Sequence, residues 1–209
     1  MRPPLAPQQI QDSRDRLVEL ATHLCQTEGA DALSLRRLAA AAGMSRSTPY
    51  QYFKNRDEIV DAVRAAALDR LTERSAAALA ETEDRFLQMR ALGRALVEFA
   101  CESPKIYHLL FSRPVFSGPL PDAMSEAVDR FRKISRPPLR EALRCGLVHG
   151  EEEVIRRTTW AAFHGLISLH LHGHLDTAQL ESDFDALNQF IGLGILTDSG
   201  RAHLSSSPH

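Results

Sequence analysis

The sequence predicts an all-α protein: a three-helix head containing a helix-turn-helix, then a helical-bundle body, with about nine helices in all. Three observations carry this. β-branched residues are sparse and no segment alternates apolar and polar side chains over a useful length, so strand signals are nearly absent. Apolar residues recur instead at three- and four-residue spacing along most of the chain. Glycines, prolines and capping residues cut that pattern into segments of helical length.

Leu17, Leu20, Ala21, Leu24 and Cys25 mark one face of a first helix that stops at Gly29, a residue suited to the left-handed position beyond a helix. Ser34 is the candidate N-cap of a second, short helix with Leu35, Leu38, Ala39 and Ala42 on one side, ending at Gly43. Ser45 or Ser47 can cap a third short helix reaching Phe53. Asn55 and Glu58 make an N-x-x-E capping box for a fourth that runs into the 70s. Small and acidic residues from Ala76 to Asp84 suggest a boundary. Beyond it Phe86, Met89, Gly93, Leu96, Val97 and Ala100 form a buried stripe, and Ser103-Pro104 opens a helix with Tyr107, Leu110 and Phe111 inside. After a Pro/Gly-rich loop, Arg113 to Pro121, a helix through Met124, Val128 and Phe131 must be interrupted or kinked by Pro137-Pro138. Helical pattern resumes from Leu139 to Leu147. Two last helices are expected near Glu151–Leu171 and Ala178–Leu196, and then a frayed tail.

Composition narrows the functional classes. The chain has 209 residues, 44% of them hydrophobic, enough to fill a core. Its three cysteines, Cys25, Cys101 and Cys145, have neither CxxC nor zinc-ribbon spacing, which points away from a disulfide framework and towards a reducing, cytoplasmic setting. No signal-peptide pattern opens the sequence, and no run approaches the roughly 18 apolar residues of a membrane span. The net charge of −2 is distributed unevenly. Between Ala32 and Arg56 stand Arg36, Arg37, Arg46, Lys54 and Arg56 with no acid, whereas Asp176 to Leu196 holds Asp176, Glu181, Asp183 and Asp185 with no Lys or Arg.

The basic block, Ser34 to Val60, carries the chemistry. At about 100° per residue, Pro49 and Phe53 lie on the inner side of the third helix, and Arg46, Ser47, Tyr50, Gln51 and Lys54 share an outward arc of about 140°. Such an arc suits the major groove: Arg can bond guanine bidentately, Gln can read adenine, and Ser, Thr and Tyr can reach phosphates or base edges.

Written out, AGMSRSTPYQYFKNRDEI resembles the turn of the TetR family of transcriptional repressors, roughly A-G-(V/M)-S-x-x-(T/S)-x-Y-x-(H/Y)-F. The resemblance implies that Arg46, Ser47, Thr48 and Gln51 read bases or groove. It makes Tyr50, Tyr52 and Lys54 phosphate clamps, with Arg36 supporting them; Arg56, from the acid-free basic stretch, is counted in the same DNA face. It also implies a homodimer on a near-palindromic double-stranded operator. Pro49 stands where the family commonly has an aliphatic residue. With Ser45 as cap, Pro49 forfeits the first helical bond; with Ser47 it forfeits none.

In the body, TTWAAFHGLISLHLHG (158–173) resembles one TetR-type C-terminal subgroup with a Trp and a His-Gly pair. That implies dimerisation through the last two helices and a cavity for an unknown small, largely apolar effector. Phe86, Met89, Leu96, Tyr107, Phe111, Phe131, Trp160, Phe163 and His164 are the candidate lining. The expected division is 8–56 for the head, 57–80 for a connecting helix, 81–198 for ligand binding and dimerisation, and 199–209 for the tail. His170 and His174, at i and i+4, could hold zinc or nickel, which leaves a metal- or redox-sensing regulator as an alternative. No carboxylate or cysteine completes such a set, and a helix-end role suits these histidines too. No metal or cofactor is therefore expected. With no GxSxG, P-loop, HExxH or dinucleotide turn, an enzyme or carrier is the more distant alternative.

Overall fold

The computed structural model describes residues 7–116 and 118–206. Ten α-helices occur among them: α1 Pro7–Glu28, α2 Leu35–Ala41, α3 Arg56–Ala80, α4 Arg85–Glu102, α5 Pro104–Phe111, α6 Asp122–Ser135, α7 Pro137–Arg144, α8 Glu152–Leu171, α9 Thr177–Ile195 and α10 Asp198–Ser206. Two 3-10 turns, Ala30–Ala32 and Thr48–Gln51, separate the first three. No strand forms among the described residues. Their extended pairing is one antiparallel bridge, Val148 to Leu196. The chain divides into two compact units: one takes the chain up to Arg70 together with Ser103–Phe131, the other Leu71–Glu102 and everything from Arg132 onward.

In the first unit, Leu17, Ala21 and Cys25 of α1 are buried with Leu35, Leu38 and Ala39 of α2, and with Phe53, Ile59, Val60 and Val63. Burial pushes the Cys25 thiol above its ordinary pKa, with Arg56 opposing the shift. Ile106, Tyr107 and Leu110 of α5 are also buried, and burial pushes the Tyr107 hydroxyl upward as well. Gln26 donates to the Ser103 hydroxyl (3.0 Å) and Lys105 to the Thr27 carbonyl (2.6 Å), fastening α5 to the end of α1. Ser103 thus accepts from α1 and makes no cap bond of its own, contrary to the N-cap role its sequence suggests. Arg64 of α3 is only 2% exposed. Its guanidinium donates to the carbonyls of Leu110 (3.2 Å), Arg113 (2.9 Å) and Pro114 (3.3 Å) and pairs with Asp61 at 3.1 Å.

In the second unit, Phe163 of α8 packs on Phe184 of α9, with ring centroids 5.5 Å apart. Arg94 of α4 lies over Phe184 (3.9 Å) and bonds Glu181 (2.6 Å), while Arg90 bonds Asp185 (2.8 Å). Asp176 makes a full capping box with Gln179. The acidic run of α9 is thus largely spent on a cap and on the arginines of α4. Gly93 is the point of closest approach to α8, for a Cβ there would stand 2.7 Å from Phe163 Cζ. Gly93→Ala should lower the unfolding free energy by about 1–3 kcal/mol in chemical denaturation. Unchanged stability would mean that the Phe163 ring has room to move.

Pro137-Pro138 does interrupt the helix, but at a single residue. Arg136 bends with φ −81° and ψ −37° between α6 and α7, its N–H donates to the Arg132 carbonyl and its own carbonyl accepts from Arg140, both at 3.2 Å. The prolines remove two donors at the joint. A larger departure concerns the end of the chain: residues expected to fray form α10 instead. Thr197 Oγ1 accepts from the Gly200 N–H (3.1 Å), His203 bonds Asp84 (2.9 Å) at the start of α4, and Leu204 packs against the cluster of Leu139, Ala142, Val148, Ile155 and Leu196. A short polar segment becomes a helix because its few apolar and charged groups find tertiary partners. Residues 207–209 of the expected tail lie outside the described residues.

Candidate nucleic-acid interface

The first turn of the head forms as its residues dictate. Ser34 Oγ accepts from the Arg37 N–H (3.2 Å), capping α2. At the other end Gly43 has φ +63°, and Met44 N–H reaches the Ala39 carbonyl at 2.9 Å, the bonding of a glycine-closed helix end. The following element differs from expectation. It is a 3-10 turn, Thr48–Gln51, and not an α-helix reaching Phe53. Pro49 has no N–H to give, and the hydroxyls of Ser45 and Thr48 bond each other (2.8 Å), so neither serine caps through its side chain. One helical bond survives, from Phe53 N–H to the Pro49 carbonyl at 3.0 Å.

The faces come out as the periodicity requires all the same. Pro49 and Phe53 are buried, and Arg46, Ser47, Tyr50, Gln51 and Lys54 are exposed, Tyr50 at 61%. Thr48 and Tyr52 are half-buried. Arg36, Tyr50, Lys54 and Arg56 come together with Ser34, Leu35 and Asn55 around an open depression of about 460 Å³. Arg37, beside Arg36, is held by both carboxylate oxygens of Glu28 at 2.7 and 2.6 Å.

Two arginines position this surface. Arg56 donates to the carbonyls of Leu33 (2.9 Å) and Ala30 (2.6 Å), so its guanidinium clamps the loop before α2 as well as bordering the depression. Arg14 of α1, which the sequence does not single out, donates to the Tyr52 carbonyl (2.5 Å) and lies 4.4 Å over the Phe53 ring. It also meets Glu58 at 3.4 Å. Glu58 accepts from the Lys54 N–H at 2.7 Å while its own N–H bonds Asn55 Oδ1 at 2.9 Å. The expected capping box is therefore shifted one residue, its carboxylate reaching Lys54 and not Asn55. Arg14 could have been suspected only as a cation one turn before Leu17, on the face that Leu17 and Ala21 continue as apolar and buried.

The body residues separate into several settings. Phe86 and Met89 lean half-buried on the Leu139 cluster, Leu96 and Phe163 are buried, and Trp160 stacks on His164 at 4.8 Å and 18°. In the first unit, Tyr107 meets Phe111 edge-on at 4.9 Å and Phe131 stacks on Phe116 at 6.0 Å. His170 Nδ1 donates to the Leu175 carbonyl (3.0 Å) and His172 Nδ1 to that of Ser168 (2.8 Å), closing the end of α8. Among the described residues no group of three or more His, Cys, Asp or Glu stands together as metal ligands, and no helix is long and apolar enough to cross a membrane.

Comparison with known proteins agrees with this geometry. Residues 17–63 match the family model for bacterial regulatory proteins of the tetR family, and residues 89–191 that for the tetracyclin repressor-like C-terminal domain. An uncharacterized HTH-type transcriptional regulator in the dhlA 5' region of Xanthobacter autotrophicus is 33% identical over 94 residues, 42% of this chain and 45% of that protein. The class D tetracycline repressor of Escherichia coli is 30% identical over 89 residues, 42% of this chain and 41% of that one. The chain thus spans less than half the length of the curated relatives it matches. Among solved structures, a protein of unknown function from Rhodococcus sp. RHA1 superposes with a TM-score of 0.77 at 26% identity, covering 88% of this chain and 95% of its own. Matched in its head and in its body by models of one lineage, the chain belongs to the TetR family of bacterial regulatory proteins.

Proposed function

We propose that the protein is a homodimeric DNA-binding transcription regulator, a repressor that a small, largely apolar effector releases from a palindromic operator. The observation that carries the reading is the exposed, acid-free arc of Arg46, Ser47, Tyr50, Gln51 and Lys54 on the turn after α2. Arg46 and Gln51 read bases, Ser47 reaches the groove, and Tyr50, Lys54 and Arg36 hold backbone phosphate at the depression they line. Thr48 and Tyr52 contribute from the edge of the turn. Arg56 acts mainly by holding the loop carbonyls.

Dimerisation is assigned to α8 and α9, where Phe190 (70% exposed) and Leu193 (67%) lie one turn apart on α9 and Val154 and Leu169 are exposed on α8. The effector belongs to the body. Its proposed contacts are Phe86, Met89, Leu96, Trp160, Phe163 and His164 of the second unit; Tyr107, Phe111 and Phe131, counted with them from the sequence, fall in the first unit. α3 runs from the first unit into the second and is the element through which a bound effector changes the heads. Ligand affinity must differ between the two arrangements of the heads for any switching to occur.

Selection of bound sequences from a random DNA pool tests the reading. A palindrome with half-sites about one helical turn apart, or a multiple of it, is the expected product. In gel shifts on that operator, Arg46→Ala and Gln51→Ala should each lose about 1–3 kcal/mol of discrimination, and Lys54→Gln should reduce the salt slope by about 1. Parental behaviour in all three variants would refute the assignment of this face.

A further inference from the structure

Three arginines ride one side of the path through the proline bend. The bonds of Arg136 to Arg132 and of Arg140 to Arg136 keep helical i, i+4 spacing across it. Arg136 and Arg140 reach the start of α8, whose first turn carries Glu152 and Glu153. Arg140 is satisfied there, its Nε meeting both oxygens of Glu152 at 3.0 and 2.9 Å. The next position is not balanced. Arg136 and Arg156 share one ion-pair partner, Glu153, at 3.7 and 3.1 Å, while Glu152, already bonded to Arg140, also acts on Arg156. Arg136 Nε is moreover buried and donates to nothing. Both arginines keep about three-quarters of their side chains from solvent, while Glu153 is more than half exposed. The carboxylate of this trio is thus the member most easily exchanged. Burial and the like charge of Arg136 depress the Arg156 pKa, Glu153 and Glu152 oppose the shift, and Arg132 adds to the repulsion.

One turn beyond Arg156, on the same face of α8, Trp160 lies flat against His164, rings 4.8 Å apart and inclined by 18°. An aromatic stack therefore stands one helical turn from Arg156.

We propose that Arg136 and Arg156 form the seat for the carboxylate of an aromatic acid whose ring lies beside the Trp160–His164 stack. This sharpens the effector from largely apolar to anionic and flat, and it rests on the reading of the second unit as an effector-binding body. Glu153 occupies the seat in the absence of ligand and yields it on binding. Two planar forks matched to one carboxylate supply geometric selectivity that ammonium groups would lack.

Trp160 is the single tryptophan of the chain, so its emission reports the site directly. The full-length protein is titrated with benzoate, with benzyl alcohol as the uncharged counterpart of the same ring, and with sulfate as an anion without a ring. Benzoate should change the emission saturably and the other two should not. Arg136→Gln and Arg156→Gln should weaken benzoate at least about tenfold with helical circular dichroism retained. Glu153→Gln should tighten it several-fold, a gain that neither misfolding nor a purely structural ion pair produces. The proposal is overturned if benzoate gives no saturable change, if benzyl alcohol or sulfate matches it, or if Glu153→Gln fails to bind more tightly. Operator retention measured on the same samples separates the two readings: parent protein that holds operator but ignores benzoate sinks this inference alone, whereas parent protein that holds no DNA sinks the regulator.

Discussion

Phe190→Glu combined with Leu193→Glu should leave folded monomers that sediment at half the parental mass and no longer retain operator DNA at parental concentrations. Both side chains stand exposed on α9, where an isolated subunit would otherwise present them to water. Burying each against a second copy gains about 1.5–3 kcal/mol on the scale for large apolar side chains. A carboxylate at the same place must be desolvated without a partner, which reverses the sign. In the proposed dimer two linked heads would bind the second half-site at high effective concentration, so separating them should weaken operator binding about 10²–10⁴-fold. Sedimentation velocity gives the mass and gel shift the affinity. Persistence of the dimer in the double variant would place the interface elsewhere.

Arg64→Ala should produce the largest loss of stability among single substitutions in the head, about 3 kcal/mol or more. Its guanidinium is buried and serves three carbonyls and the Asp61 carboxylate at once. Truncation leaves those acceptors without a donor, and a charge group broken in this way costs about 3–5 kcal/mol. For a chain of this size that corresponds to a fall in Tm of about 6–12 °C. Arg113, which bonds Asp57 at 2.8 Å and stands 3.5 Å from Asp61, remains to compensate part of the loss. Calorimetry and urea unfolding measure both quantities. A change below about 1 kcal/mol would show that water reaches the freed carbonyls at once.

Some elements were legible because their causes are local. Ser34 caps α2 through an N–H three residues on, Gly43 closes it through positive φ, and Asp176 boxes with Gln179. In the first two cases donor and acceptor lie within one turn, so the residue types alone nearly dictate the geometry; the Asp176 box, equally local, was not singled out from the sequence. The outward arc of Arg46, Ser47, Tyr50, Gln51 and Lys54 was legible for a related reason. Burial of Pro49 and Phe53 fixes which side of a tight turn faces out, whether the turn is α or 3-10. The helical type itself was not, because it depends on how the missing N–H of Pro49 and the hydroxyl pair Ser45–Thr48 divide the first turn.

Periodicity, caps and glycines thus determined the all-α class, the helix-turn-helix and the exposed cationic face of this protein. The tertiary structure decided the rest: Arg14 holding Tyr52 from 38 residues away, Arg64 holding Leu110 from 46, and His203 docking α10 onto Asp84 from 119. It also decided that Arg136 and Arg156 share one carboxylate. The physical reason is reach. A capping bond is specified by neighbours a few residues apart, while a long guanidinium can satisfy any carbonyl or carboxylate that the folded chain brings within its span, and sequence spacing carries no record of which one that is.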